Sequence, residues 1–314
     1  MVQRTFCDLN IIEHSNYNEN LENVKQLISL GYTFVALNRH YGTPRKEREK
    51  SKKNPHEKSS MDEARYYVDE AKRLHERLNK DIQKLCTTNR VTHHNPSENT
   101  SSAATDSDLV VPDNFRLLSR VTLDIENQEQ LSFLRNSSNK LLISSFDLIA
   151  VVPKCEKSFR SIMEGKLDFD IVSLAPSAEK IPFKLDRHQI GLGTGNGLFF
   201  EISYGLAIRS QSLRKYVFTN AQNVTSRTKR GAGVLVTSAG ETRMDLRSPS
   251  DVANLSSTLF GLKGSAGLDA ISVTSRKCIV RALLRKETFK GAVRVEKLDE
   301  CRQGGEPPSK KMRV

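Results

Sequence analysis

The chain has 314 residues, of which 37% are hydrophobic, and its 49 Lys and Arg exceed its 37 Asp and Glu to give a net charge of +12. This length suits one large domain or two ordinary ones, and the low hydrophobic content predicts that part of the chain is unpacked. Residues 115–290 hold 26 Lys and Arg against 16 acidic side chains, so the excess charge lies in the region with the strongest folding pattern. A basic folded surface favours a polyanionic partner over the alternative of a mildly basic soluble enzyme.

Cysteine usage and hydropathy argue against several classes of protein. The five cysteines are scattered without a CxxC pair, which is typical of a reducing compartment and argues against a disulfide scaffold or a zinc site. The N-terminus lacks the apolar core of a signal peptide, and no stretch approaches the ~18 apolar residues of a membrane span. We therefore expect a soluble intracellular protein.

The first forty residues predict a parallel βαβ unit. Residues 6–12 (FCDLNII) form a predicted strand, and residues 18–30 form a helix whose apolar stripe ends at Gly31. Residues 33–38 (TFVALN) are the second predicted strand. The unit takes about forty residues, which is the length that a parallel crossover needs.

A charged segment, residues 42–114, interrupts this pattern. Ser60 and Glu63 form a predicted capping box for a helix over residues 61–85. Residues 87–108 are rich in Thr, Ser, Asn and His and have the composition of a disordered chain. We interpret the segment as an excursion from the fold, whose helix either docks on a partner or lies with one face against the body.

Short apolar strands alternate with helices from residue 116 onward. The predicted strands are 116–122, 147–152, 170–174, 198–204 and 234–237, and the predicted helices are 127–134, 155–167, 212–230, one that begins at Pro249, a short polar one, and 274–287. About seven strands of the buried, parallel type alternating with helices predict either a barrel or a doubly wound sheet. Periodicity alone does not separate the two.

Residues 231–262 form the most complete βα unit. The buried strand leads through a polar link to a helix, for which Ser248 is the predicted N-cap, Pro249 the first helical residue and Asp251 the acidic residue three positions after the cap. In parallel α/β folds such a link lies at the ligand end of the sheet.

The glycine run 191–197 (GLGTGNG) invites comparison with a phosphate loop. A phosphate loop follows a strand and opens a helix, so that the helix N-terminus faces the anion. Here the glycines lead directly into a strand, and no GKS or GKT follows. We therefore interpret the run as a flexible turn before the strand.

A metal-dependent hydrolase requires convergent His, Asp and Glu ligands. The candidates at predicted strand ends are Asp8, His14, Asn38, His40 and Glu201. The chain contains no HxH or HxD pair, and an amide stands where a metal enzyme prefers an ionisable group. These candidates include too few ligands in a suitable spacing to predict a metal site.

Basic side chains supply the stronger signal. One group follows predicted strands and, if the strands are parallel, collects at one end of the sheet: Arg39, Lys154, Lys157, Arg209, Arg243 and Arg247. A second group covers one face of the last helix, with Ile279, Val280 and Leu283 on the other face: Arg276, Lys277, Arg281 and Arg285. We interpret both groups as contacts to RNA phosphates or to a protein partner, a hypothesis that fails if these cations lie at opposite ends of the fold. Aromatic residues make up only 6% of the chain and Trp is absent, so phosphate contacts are expected rather than base stacking.

Two of these expectations can be stated more sharply. Arg247 has a structural alternative, in which it pairs with Asp245 or Asp251 and orders the helix start. Replacing Arg276, Arg281 and Arg285 with Ala is expected to weaken RNA binding and to flatten its salt dependence.

Four stretches carry a family resemblance. They are the opening FCDLNII…LGYTFVALN, then LISSFDLIAVVPKCEKSF, LFFEISYGLAIR and RSPSDVANLSSTLFGL. Together they resemble the TIM-barrel protein subunit of ribonuclease P and ribonuclease MRP, over roughly residues 1–41 and 115–290. The resemblance implies a distorted α/β barrel without catalytic residues of its own, which supports a catalytic RNA in removing 5′ leaders from precursor tRNA. It also implies a small ferredoxin-like protein partner, and related barrels in the wider superfamily are metal-dependent phosphoesterases.

We therefore predict a TIM-like barrel over residues 1–290, interrupted by residues 42–114 and followed by a flexible basic tail, 291–314. We expect an RNA-binding scaffold without cofactor or metal, whose partners are the catalytic RNA, precursor tRNA and other protein subunits, and no membrane. The cluster Lys310, Lys311 and Arg313 and the long insertion favour a eukaryotic, nuclear protein. The resemblance implies the nucleolus and a role in rRNA processing as extensions. The alternatives are a metal-dependent phosphoesterase and a scaffold that contacts only proteins.

Overall fold

The computed structural model describes residues 4–41, 60–92, 111–112, 114–135, 144–165, 167–174, 180–289 and 293–294. Seven parallel strands form one sheet, in which each strand pairs with the next one along the chain. They are β1 (Phe6–Ile12), β2 (Tyr32–Tyr41), β3 (Arg116–Ile125), β4 (Leu148–Pro153), β5 (Ile171–Ser173), β6 (Phe199–Ser203) and β7 (Val234–Thr237).

The sheet closes almost completely into a barrel where β1 meets β7. The Ile12 backbone N–H donates to the Gly240 carbonyl oxygen at 2.9 Å, and the Ser238 N–H donates to the Asp8 carboxylate at 3.2 Å. The strand order follows the chain order without a reversal, whereas a doubly wound sheet reverses at a switch point. The prediction of a TIM-like barrel is therefore confirmed, and the doubly wound alternative is excluded.

Helices surround the barrel. They are α1 (Tyr17–Ser29), α2 (Ser60–Thr92), α3 (Gln128–Arg135), α4 (Glu156–Met163), α5 (Arg187–Gly195), α6 (Gly205–Arg209), α7 (Arg214–Arg227), α8 (Pro249–Thr258), α9 (Ala266–Ala270) and α10 (Val273–Glu287). A 3₁₀ turn spans Arg243–Asp245, and two short antiparallel strands, β8 (Thr288–Phe289) and β9 (Val293–Arg294), follow α10. None of the helices described here is long and apolar enough to cross a membrane.

Helix α2 packs along the barrel. Its apolar side chains Val68, Leu78 and Ile82 are buried, and the Nε2 atom of His75 lies 3.1 Å from the Leu117 carbonyl oxygen on β3. Parallel neighbours such as β2 and β3 need a crossover connection. The helix lies in that connection with one face against the barrel, which is one of the two placements predicted for it.

Several expectations fall on parts of the chain that the structure does not describe. Residues 42–59 and 93–110 of the segment interpreted as an insertion are among them, as is the chain beyond residue 294, which includes the basic cluster near the C-terminus. Residues 87–92, which were expected to be disordered, belong to α2.

The glycine run 191–197 is mostly helical, so its interpretation as a flexible turn is wrong. Residues 187–195 form α5, and the chain turns into β6 at Gly197, whose φ is +80°. Gly193 lies so close to α4 that a Cβ atom there would come within 2.5 Å of the Met163 sulfur atom. A larger residue at this position would force the Met163 side chain to move, so close packing between the two helices favours glycine here.

Helix α10 covers the amino-terminal end of the barrel. Its side chains pack into an apolar cluster with residues from the starts of several strands: Cys278, Ile279 and Ala282 with Cys7, Leu148, Ile171 and Leu235. The cluster fills the lower half of the barrel interior, which leaves the upper half, toward the carboxyl ends of the strands, for polar side chains.

Candidate functional site

The upper half of the barrel interior centres on a buried ion pair. The side chains of Arg120 on β3 and Glu201 on β6 are both 0% exposed. Two nitrogen atoms of the Arg120 guanidinium donate to the two Glu201 carboxylate oxygens, each at 2.6 Å. The Nη1 atom of Arg120 also donates to the Leu9 carbonyl oxygen at 2.7 Å. This bidentate pair connects strands on opposite sides of the barrel.

Amide and hydroxyl groups complete the hydrogen bonds of this pair. The Thr237 hydroxyl and the Asn10 amide donate to the Glu201 carboxylate at 2.9 and 3.2 Å. The Asn38 amide donates to the Asn10 Oδ1 atom at 2.7 Å, and the Thr122 hydroxyl donates to Asn38 at 2.8 Å. Burial acts to raise the pKa of Glu201, but the Arg120 guanidinium together with hydrogen bonds from Ser173 and Thr237 outweighs it, so that the pKa lies below its ordinary value. Glu201 is therefore held as a carboxylate, and its partner is a cation of the protein itself.

The candidate metal ligands do not converge. Glu201 binds Arg120, and Asp8 accepts from the Ser238 N–H. His40 lies 3.1 Å from the Asp124 carboxylate, while His14 contacts Glu19 at 3.2 Å. In the part of the chain that the structure describes, no three His, Cys, Asp or Glu side chains come together as a metal site.

Asp8 occupies the seam between β1 and β7. It is 2% exposed, and its Oδ2 atom has no hydrogen-bond partner among the described residues. Burial raises the pKa of Asp8 to about 6, although hydrogen bonds from Ser238 and Asn10 lower it in part. The carboxyl group thus closes the barrel through one oxygen only, and its ionised form is poorly solvated.

The cations that follow the strands lie at the carboxyl end of the barrel, where acidic side chains neutralise most of them. The ion pairs are Arg39 with Glu13 and Glu70, Lys154 with Asp124, Arg209 with Asp245 and Glu241, and Arg243 with Glu22. We call this set the carboxyl-end rim. Its acidic partners come from distant parts of the chain, so most of the predicted cations there have a structural role that the sequence did not indicate.

The other two predicted cations at this end have different surroundings. Arg247 donates to the backbone carbonyl oxygens of Met244 and Leu246 at 2.7 and 2.8 Å. It therefore braces the turn through carbonyl groups instead of pairing with Asp245 or Asp251. Lys157 is exposed in the first turn of α4.

The predicted start of α8 is confirmed. The Ser248 hydroxyl accepts from the Asp251 N–H at 3.3 Å and caps α8.

The faces of α10 differ from the prediction. Arg281 and Arg285 bind the buried Asp170 carboxylate at 3.1 and 2.9 Å, and Arg285 also donates to the Asp147 carbonyl oxygen at 2.9 Å. In contrast, Val280 is 53% exposed. The expectation of cations on one solvent-facing side of the helix is therefore wrong, because two of the guanidinium groups are needed to neutralise Asp170.

The two predicted groups of cations also lie at opposite ends of the barrel. Arg276 and Lys277 are exposed, but they belong to α10 at the amino-terminal end, whereas the rim lies at the carboxyl end. The two groups therefore form separate surfaces and not one continuous basic face. Contact between any of these residues and RNA remains a prediction.

A third group of cations, of which the sequence indicates only the three at residues 227–230 as a basic helix end, lines a cleft at the amino-terminal end of β6 and β7. Its cations are Arg187, Arg227, Lys229, Arg230 and Lys263. We call this the basic cleft. Three of the five are close neighbours at the end of α7, which is a signal visible in the sequence, but α5 and the turn after α8 complete the group only in the folded chain.

Comparison with known proteins identifies the family. The model of the RNase P subunit p30 family matches residues 5–287. The chain belongs to the RNase P subunit p30 family. Over 174 residues this p30-family chain is 35% identical to "Ribonuclease P protein subunit p30" of Mus musculus, a match that covers 55% of the chain and 63% of the mouse protein. Over 175 residues it is 30% identical to "Probable ribonuclease P protein subunit 3" of Schizosaccharomyces pombe, a match that covers 56% of the chain and 71% of the yeast protein.

Other relatives extend the comparison. The chain is 34% identical over 184 residues to "Protein GAMETOPHYTE DEFECTIVE 1" of Arabidopsis thaliana, covering 59% of the chain and 31% of the plant protein. The matches thus span less than two thirds of the mouse and plant relatives. Among solved structures, a chain of an archaeal ribonuclease P with mature tRNA superposes with a TM-score of 0.55 at 16% identity, covering 94% of this p30-family chain and 99% of the archaeal chain. At that identity the likeness shows the barrel fold.

Proposed function

We propose that this chain is a non-catalytic protein subunit of ribonuclease P, which binds and supports the catalytic RNA in removing 5′ leaders from precursor tRNA. The observation that carries the proposal is the family match over residues 5–287. The net charge of +12 supports it, because a protein that contacts an RNA backbone needs an excess of cations.

The barrel interior favours this function over a metal-dependent phosphoesterase. Such an enzyme needs carboxylate and imidazole ligands that converge on an open position. Here the interior carboxylate, Glu201, is saturated by the Arg120 guanidinium and by neutral donors. A metal ion there would have to displace a buried cation, which makes hydrolysis by the protein itself unfavourable.

The finer assignments belong to the same proposal. We infer a nuclear location from the eukaryotic relatives, with the nucleolus and a role in ribonuclease MRP and rRNA processing as extensions. A small ferredoxin-like subunit and other protein subunits are the expected protein partners. These assignments follow from the family resemblance. The purification of the chain together with its bound RNA and proteins, described next, tests them.

Purification of the tagged full chain from its own cells, followed by sequencing of the bound RNA, tests the proposal. We expect the RNA of ribonuclease P and precursor tRNA to be enriched, and we expect crosslinks between the chain and RNA in the assembled particle. The purified chain alone, with Mn²⁺ or Zn²⁺, is expected to leave precursor tRNA intact.

Two results would contradict the proposal. Cleavage of precursor tRNA by the isolated chain, abolished by Asp8→Asn or His40→Ala, would establish the phosphoesterase. A particle in which the chain crosslinks only to proteins would establish a protein scaffold.

A further inference from the structure

The basic cleft is a large concave surface that carries charge of one sign. It has a volume of about 1290 Å³, and five of its lining residues are Lys or Arg while none is Asp or Glu. Its walls are α5, the end of α7 and the turns that precede β7 and follow α8. A concave surface of this kind focuses positive potential and concentrates anions.

The cations of the basic cleft have no acidic partners. In the described portion of the chain no ion pair involves any of the five, and the single hydrogen bond of the Arg187 side chain runs to the Ser226 carbonyl oxygen at 3.5 Å. Like charges held together repel one another, and the repulsion is relieved when an anion binds between them. The charge of this cleft is thus available to a ligand.

Two polar atoms in the cleft walls lack hydrogen-bond partners. Among the residues that the structure describes, the hydroxyl oxygen of Thr225, which is 8% exposed, has no hydrogen-bond partner, and neither does the Nε atom of Arg227. Buried polar groups are nearly always paired, and an unpaired one costs about 1–3 kcal/mol. Both atoms are buried beneath the cleft surface, so they do not contact a ligand directly, and the case for the cleft rests on its exposed cations.

The backbone of the cleft is shaped for close approach. Arg230 has a φ of +55°, a left-handed conformation that is unfavourable for a residue with a Cβ atom. Such conformations are concentrated at functional sites. On the opposite wall, a Cβ atom built on Gly191 or Gly195 would meet nothing within 4 Å. This wall of α5 is therefore bare and leaves room for a bulky ligand.

The positive surface continues beyond the cleft. A neighbouring hollow of about 340 Å³ shares Arg227 and adds Lys180 and Lys184, again without an acidic lining residue. A track of cations longer than one phosphate group fits a polymer better than a mononucleotide. The aromatic residue of the cleft, Phe260, is 0% exposed and offers no stacking surface.

We propose that the basic cleft binds the phosphodiester backbone of double-helical RNA. Unpaired strands are usually held by aromatic side chains on which bases stack, whereas RNA duplexes are recognised by shape and by contacts to phosphates and 2′-hydroxyl groups. Point cations without an accessible aromatic ring match the duplex. The choice of RNA over other polyanions rests on the proposed function, and the location of the site rests on the cleft alone.

Salt titration of the full chain tests this inference. The affinity for an RNA duplex, and for a single strand of the same length, is measured with the native chain and with the double variant Lys229→Ala, Lys263→Ala. A matched control, Lys72→Ala with Lys80→Ala on α2, removes the same charge from exposed positions outside the cleft. We expect the cleft variant to bind duplex roughly ten-fold more weakly and its salt slope to fall by about 1.5, and we expect the control to change little.

A negative charge added to the wall of the basic cleft provides a second test. Gly191→Glu introduces a carboxylate on the bare wall without removing a cation, and it is expected to weaken duplex binding while circular dichroism stays unchanged. This variant separates occupation of the cleft from a general loss of positive charge.

Several outcomes overturn the inference. Equal losses in the cleft and control variants, tighter binding of single strands than of duplex by the native chain, or unchanged duplex binding by the cleft variants would each do so. Loss of a protein subunit from the particle with unaltered duplex affinity would assign the cleft to a protein. In these cases the proposed function stands if ribonuclease P RNA still copurifies, whereas absence of that RNA together with cleft-dependent duplex binding removes the proposed function and keeps the cleft.

Discussion

The carboxyl-end rim and the basic cleft have similar numbers of cations, but acidic side chains neutralise the cations of the rim and not those of the cleft. In the rim, Arg209 binds the Asp245 carboxylate at 2.9 Å and Arg243 binds Glu22 at 3.2 Å. In the cleft, the lining residues include no acid at all. The rim cations mainly stabilise the fold, while those of the cleft remain available for a ligand. A count of Lys and Arg along a sequence does not distinguish the two, because neutralising acids can be far away in the chain.

The largest expected effect concerns the ion pair inside the barrel, where charge is wholly structural. Glu201→Gln leaves the buried Arg120 guanidinium without its counterion and is expected to lower the free energy of unfolding by about 3–5 kcal/mol. Urea denaturation measures this. The matched control is Glu156→Gln, since Glu156 and Arg160 also pair at 2.6 Å but are 49% and 60% exposed. The control should leave the denaturation midpoint nearly unchanged, and equal losses in both variants would contradict the role of burial.

The next effect tests the two sides of α10. Arg285 is 9% exposed and neutralises Asp170, which is 0% exposed. Arg285→Ala is therefore expected to cost about 2–3 kcal/mol of unfolding free energy, less than a fully broken pair because Arg281 remains. Arg276→Ala on the exposed side of the same helix should cost little. Equal changes in unfolding temperature for the two variants would contradict this difference and would support the sequence-based prediction that the cations of α10 share one side of the helix.

A smaller effect, of opposite sign, is expected at the seam of the barrel. Burial raises the pKa of Asp8 from 3.8 to about 6. The folded state therefore holds this proton more tightly than the unfolded state, so stability is higher below pH 4 than above pH 6 as far as this group is concerned. Asp8→Asn removes that dependence and is expected to add about 1–2 kcal/mol at pH 7.

Denaturation of the native chain and the Asp8→Asn variant from pH 4 to pH 7 provides the measurement. The difference in stability between the two proteins should grow as the pH rises through this range. A constant difference would show that Asp8 does not titrate there.

The smallest expected change in stability belongs to the basic cleft. Arg230→Gly removes a cation that has no salt-bridge partner among the described residues, and it relaxes a left-handed residue. The free energy of unfolding should therefore stay equal or rise by less than about 1 kcal/mol. Duplex RNA binding should nevertheless weaken. A variant that unfolds more easily would show that Arg230 has a structural role, as the rim cations do, and would weaken the contrast between the two regions.

Several features of the fold could be read from local patterns. The buried strands at residues 6–12 and 234–237 were predicted with the bounds that the structure has. Short apolar runs followed by amphipathic helices depend on neighbours within a few residues, so they can be recognised without knowledge of the rest of the chain. The family resemblance then selected a barrel where periodicity had left two folds open.

Other features depended on contacts between distant residues. The glycine run belongs to a helix, α5, that packs closely against Met163 at Gly193, and Arg281 and Arg285 of α10 turn toward the barrel because Asp170 is buried beneath them. Neither partner lies near in sequence. The same holds for Arg120 and Glu201, which are 81 residues apart and meet only inside the barrel.

The sequence by itself determined the alternating strands and helices, the excess of positive charge and the family, because each of these follows from the order or the number of residues along the chain. Only the tertiary structure decided which cations are neutralised and which remain available, because an ion pair depends on distance and burial in three dimensions. For this protein that distinction is the reason why we propose the RNA contact at the basic cleft and not at the ion-paired rim.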